Sequence, residues 1–167
     1  MERTRVFYAH WQMECCGTPF AVGDEVSWRL VPTGHEDDHY GAAARVENHG
    51  GPDPTTGRVL GIDLVHQEFL AHHDPRAVAP PAAEPGEVIL VAAGRGLEPV
   101  PGAPAPEPVD ACPRWFDAFE QEEQPPRRVP YRVRRAVGVL VTLETAPDVP
   151  DGTPTEPGDR RRPLRRQ

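Results

Sequence analysis

Two adjacent cysteines, Cys15 and Cys16, stand directly before Gly17 and Pro19, and they are two of the three cysteines in the 167-residue chain. Thiols placed this way suit a soft metal ion, a vicinal disulfide or a reactive thiolate. A zinc site takes about four ligands, mostly Cys and His. The pool is Cys15, Cys16, Cys112, His10, His49 and His66, with His10, His66 and Cys112 the preferred partners of the pair. Neighbouring side chains on a strand point to opposite faces. Joint ligation from a strand therefore needs a backbone kink, which Gly17 permits. The metal reading requires Cys15 or Cys16 to come within about 4 Å of Cys112 or of two histidines. The plainer alternative buries one cysteine as a small apolar residue and leaves the other in a turn.

Other chemistry is less well supplied. A nucleophilic cysteine wants a nearby base and positive surroundings, and Glu14 beside the pair opposes that. His66 and Glu68 share a strand face and can work as a pair, or simply form a half-exposed polar face. His72-His73-Asp74 and His35…His39 lie in polar loops without a matching partner spacing. No His-Glu-x-x-His, phosphate loop or nucleophile elbow occurs, which lowers the expectation of an enzyme. A second candidate function is binding. Tyr8, Trp11, Glu14, Cys15 and Cys16 would form the rim of a site for an extended peptide or protein, with Phe7 and Trp28 nearby. Core packing is favoured for Trp28, whose strand face is purely apolar.

The elements that must position these residues read as β. Val6–Met13 is aromatic and β-branched on both faces, as for an inner strand. Glu25–Val31 alternates, with Val26, Trp28 and Leu30 on the core side. Tyr40–Glu47 is a weaker strand. Thr55–Phe69 is a strong one, with Gly57 and Gly61 marking bends or a bulge. From Asp74 to Pro113 there are ten prolines, with one strand over Glu87–Ala92 and an extended or disordered run over Leu97–Val109. Asp110–Gln124 reads as a short helix with Trp115 and Phe119 on one face. Tyr131–Glu144 is the last strand, with a bulge expected at Arg134-Arg135.

The fold expected is mainly β: a small antiparallel, partly open barrel with one short C-terminal helix and disordered Pro-rich connections. Residues 1–72 form the N-terminal barrel portion and 73–112 the connection. Residues 113–146 supply the helix and closing strand, and 147–167 form a disordered tail. The formal net charge is −8, and all 18 basic residues are arginine. The tail Asp151–Gln167 carries five arginines against three acids, which leaves −10 on the rest and disfavours nucleic-acid binding by the body. No 18-residue apolar run exists, so no membrane span is expected. The N-terminus lacks a signal-peptide core, and three cysteines make no disulfide framework. A cytoplasmic location with reduced thiols follows as the expectation.

The phrase Phe20-Ala21-Val22-Gly23-Asp24-Glu25-Val26-Ser27-Trp28, with the later Thr56-Gly57-Arg58-Val59, resembles the opening strands of SH3-like barrels. Over Trp11-Gln12-Met13-Glu14-Cys15-Cys16-Gly17-Thr18-Pro19-Phe20, the Gly23-Asp24 turn and Leu64-Val65-His66-Gln67-Glu68, the chain resembles an uncharacterised actinobacterial family, a domain of unknown function. That resemblance implies a soluble, cytoplasmic protein and carries no activity with it. The expectation drawn from all this is a non-catalytic binding or adaptor module without a cofactor. The alternative is a zinc-binding or thiol-dependent protein centred on Cys15 and Cys16.

Overall fold

The computed structural model describes residues 1–34, 40–72, 97–102, 104–116 and 130–147. Eight strands and one helix lie among them: β1 Glu2–Ala9, α1 His10–Cys16, β2 Glu25–Trp28, β3 Leu30–Pro32, β4 Ala44–Val46, β5 Thr55–Ala71, β6 Leu97–Pro99, β7 Ala105–Val109 and β8 Tyr131–Thr145. One sheet runs β2-β5-β8-β1-β4-β3, with β6 and β7 paired to β5. Its two outermost strands, β2 and β3, are separated in sequence by Arg29 alone. A single kinked stretch of chain therefore forms both edges of the path, and the sheet curls into a nearly closed barrel shape. Closure of this kind removes most of the exposed edge that an open sheet leaves for aggregation.

The sheet is mixed rather than antiparallel. β1 pairs antiparallel with β8 but parallel with β4, through Val6 opposite Ala44 and Phe7 opposite Arg45. The parallel contact is possible because α1 and the two short edge strands lie between β1 and β4, enough chain to return in the same direction. β1 is an inner strand with both faces covered, as its composition predicts. Val6 and Tyr8 join the main core with Met13, Phe20, Trp28, Val59, Val139, Val141 and Leu143. Phe7 packs on the other face with Ala42, Val65 and Leu140.

The long strands bend where small residues allow it. The β5–β8 register slips between Val59 and Gly61, which leaves Leu60 as the extra residue of a bulge. The irregularity in β8 falls at Val137 rather than at Arg134-Arg135. Gly138 explains the position: a Cβ there would stand 2.3 Å from the Tyr8 carbonyl oxygen. Only glycine lets β8 approach β1 so closely at this point.

Three further expectations are corrected. The first strand ends at Ala9, and the cysteine pair lies on a helix. The Pro-rich run Leu97–Val109 contributes β6 and β7, with Pro106 and Pro108 in a strand paired on one side only among the described residues, the edge position that tolerates proline. The helix expected over Asp110–Gln124 is absent through Phe116, where Ala111 bridges Ala21 instead. The remainder of that segment, the Glu87–Ala92 strand and the tail beyond Pro147 lie outside the described residues. Among the described residues no helix is long and apolar enough to cross a membrane.

Candidate metal centre

α1 is seven residues long, has no side-chain N-cap and ends at Gly17, whose N–H bonds to the Met13 carbonyl. A helix this short gains little from its own hydrogen bonds. Its inner face holds it: Met13 and Gln12 are buried. Gly17 is obligatory at the exit, because a Cβ would lie within 2.7 Å of Met13 and the Tyr8 hydroxyl.

Gln12 is the buried polar side chain of the described core, and its bonds join α1 to the turn after β4. Its Nε2 donates to Glu47 Oε1 at 3.1 Å, and its Oε1 accepts the Asn48 N–H at 3.1 Å. Asn48 Nδ2 donates to the Tyr8 hydroxyl at 2.8 Å and to the Gln12 carbonyl at 3.3 Å. A buried amide satisfied on both ends fixes register more than it adds net stability. What it fixes here is the position of residue 49 relative to the end of α1.

His49 is then held from several sides. Its backbone N–H donates to Glu47 Oε1 at 3.0 Å, and its Nδ1 lies 3.4 Å from the same oxygen. Trp11, half-exposed, stacks on its ring at 5.8 Å between centroids and 14° between planes. Nε2 points at both sulfurs, 3.5 Å from Cys16 Sγ and 3.8 Å from Cys15 Sγ. All three ligand atoms lie within 4.8 Å of one another. Successive residues on a helix differ in direction by about 100° rather than the 180° of a strand. α1 thus solves the facing problem that a strand would have posed.

The electrostatics of the cluster disfavour a bare thiolate at Cys16. The Cys16 thiol is pushed above its ordinary range by its hydrogen bond with Cys15, then by desolvation and by the negative charge that Cys15 and Glu47 would carry. Arg114 opposes this weakly. The Glu47 carboxyl is held below its ordinary range, first by the His49 N–H and then by the Gln12 amide. A carboxylate on Nδ1 keeps the proton there and leaves Nε2 as the free lone pair.

The other predicted site residues are elsewhere. Cys112 is buried in the main core, its N–H bonded to the Phe20 carbonyl, and burial pushes its thiol up to about 12. His10 Nδ1 is 2.9 Å from the Val137 carbonyl and its ring meets Phe116 edge-on. His66 pairs with Glu107, and Glu68 with Arg132, so these two do not act on each other. Glu14 accepts the Phe116 N–H and ties the 110–116 segment onto α1. Tyr8 is buried beneath the site and Trp11 flanks it. His72 pairs with Glu98, while His35, His39 and His73 lie outside the described residues. Of the ligand pool, His49 alone joins Cys15 and Cys16. Glu47 and Asn48 carried no signal of their own in the sequence beyond proximity to His49, and Gln12 none beyond its place just before the cysteine pair.

A cavity of about 330 Å³ is lined by Cys16 and by the buried rings of Tyr8, Phe20 and Trp28. Asn48, Ser27, Asp24 and Glu25 complete its polar rim.

A family model described as a family of unknown function (DUF6578) matches residues 2–145. No curated protein and no solved structure matches the chain.

Proposed function

The chain belongs to the DUF6578 family, whose function is unknown, and we propose that it is a metal-binding domain whose site is Cys15, Cys16 and His49. The single observation that carries this reading is the convergence of both sulfurs on one imidazole nitrogen, at 3.5 and 3.8 Å. Zinc bond lengths in a tetrahedral site put sulfur and nitrogen ligands about 3.6 Å apart. The two sulfur–nitrogen separations bracket that value, which supports an ion held among the three side chains. Glu47 on Nδ1 supplies the outer carboxylate that orients a metal-bound histidine. Two thiolates and one imidazole suit a soft or borderline ion such as zinc.

The competing readings of the cysteine pair lose ground on physical grounds. Adjacent Cα atoms are about 3.8 Å apart, below the ~4.4 Å minimum usual for a disulfide, and α1 would have to break. A free nucleophilic thiolate is opposed by the raised Cys16 thiol. A divalent cation reverses that balance by stabilising both thiolates. The reading as a peptide-binding SH3-like module called for an open aromatic groove free of converging titratable groups. Here two thiols and an imidazole converge beside the aromatic residues, which favours the metal.

Elemental analysis of purified, zinc-loaded protein tests this directly. The wild type should hold about one equivalent and the Cys15→Ser/Cys16→Ser variant none. Sub-stoichiometric zinc in a folded wild type ends the proposal.

A further inference from the structure

A structural zinc site is closed by four ligands. Cys15, Cys16 and His49 make a set of three, and no fourth Cys, His, Asp or Glu among the described residues joins them. Both cysteines are exposed, and the His49 side chain is 51% exposed. The fold does not lean on these side chains either. Neither core cluster contains any of them. α1 is already fastened to the turn after β4 by the Gln12 and Asn48 hydrogen bonds, which need no ion. A ligand set that is incomplete, exposed and outside the core leaves its ion open to exchange.

Resting on the metal-site reading, we infer that Cys15, Cys16 and His49 hold an exchangeable ion, which the protein passes to an acceptor bearing thiols. The first acceptor thiol enters the fourth position and binds as thiolate, its proton going to solvent. A second acceptor thiol follows in the same way. Cys15 and Cys16 leave in turn, each taking up a proton from solvent, and His49 leaves as neutral imidazole with Nδ1 still beside Glu47. The protons released and taken up balance, and no electron moves. The acceptor carries thiols because an ion that leaves two thiolates needs donors at least as soft. Release then depends on the acceptor, whereas a closed site must first open by itself.

Transfer kinetics of the zinc-loaded full chain test the inference. The protein is mixed with increasing dithiothreitol, and a fixed amount of a chromophoric zinc chelator reports the ion as it leaves. The rate should rise in proportion to the dithiol, by about tenfold for each tenfold increase in its concentration. Butane-1,4-diol, of the same chain length without sulfur, should leave the rate at its dithiol-free value. The metal-free protein should keep the strand signal of the loaded form in circular dichroism and unfold cooperatively in urea. A rate independent of dithiothreitol, an equal acceleration by the diol, or loss of the fold along with the ion overturns the exchange assignment while leaving the metal site intact. Less than about one equivalent of zinc in the folded, loaded protein overturns the metal site and the inference with it.

Discussion

Three histidines of the described chain sit beside a carboxylate, yet they use different nitrogens. Along β5 and its neighbours, His66 and His72 turn Nε2 to Glu107 and Glu98, at 3.2 and 2.8 Å. In the turn after β4, His49 gives Nδ1 to Glu47 and keeps Nε2 for the sulfurs. The first arrangement consumes the outward nitrogen in a cross-strand ion pair. The second spends the inward nitrogen on orientation and presents the outward one. A carboxylate beside a histidine is therefore no mark of a site; what the other nitrogen faces is.

The sharpest way to break this contrast is to remove each imidazole in turn. His49→Ala should lower zinc affinity by at least about a hundredfold, since a two-thiolate remnant is a poor tetrahedral site. His66→Ala should leave it unchanged. Competition against a chromophoric chelator reads both. Equal affinity in the two variants would show that His49 is only a neighbour of the thiols.

Next comes the carboxylate. Glu47→Gln keeps a hydrogen-bond acceptor for the His49 N–H but removes the charge, and affinity should fall about 10- to 100-fold. The same residue gives a pH dependence. Its carboxyl is held below the ordinary value in the folded protein. Its contribution to stability is therefore complete above the ordinary carboxylate pKa and is lost as pH falls through the lowered one. Acid titration of the wild type against Glu47→Gln should show this loss in the wild type alone.

Gln12 separates positioning from ligation. It touches no sulfur, yet it bridges α1 to Glu47 and Asn48 from a fully buried position. Gln12→Ala leaves those partners unsatisfied and should cost about 1–3 kcal/mol of stability, read as a lower urea midpoint. Zinc at saturating concentration should recover part of that loss by binding the folded state. Recovery in Gln12→Ala but not in Gln12→Ala/His49→Ala would place Gln12 in support of the site.

Much of the barrel was legible in the residues. Trp28 and its alternating neighbours and the final strand follow from period-two patterning, the inner β1 from its aromatic and β-branched residues on both faces, and the bulge beside Gly61 from the glycine itself. α1 escaped because its buried face reads Gln12-Met13, and a buried glutamine looks polar in sequence. Its aromatic start, His10-Trp11, also continues the strand composition. Once the pair is placed on a helix rather than a strand, the choice of His49 from the ligand pool follows from which turn α1 ends against. That is a tertiary fact with no local signature. The parallel β1–β4 pairing was hidden for the same reason: β4 is three residues long, Ala44–Val46, and its direction is set by where the chain returns.

The smallest effect is expected just past the end of β5, at His72, where the ion pair should be nearly inert. His72 and Glu98 have side chains 45% and 69% exposed, so water screens them and competes for both partners. An exposed ion pair typically contributes no more than about 1 kcal/mol, and often less. His72 also needs its proton to count as a cation at all. His72→Gln should therefore move the unfolding free energy by less than about 0.5 kcal/mol, with zinc binding unaltered. A larger loss, persisting at high salt, would mean that this pair holds β6 onto β5 in a way its exposure does not permit. The distinction between spent and presented nitrogens would then have to be drawn on packing rather than on which atom faces the carboxylate.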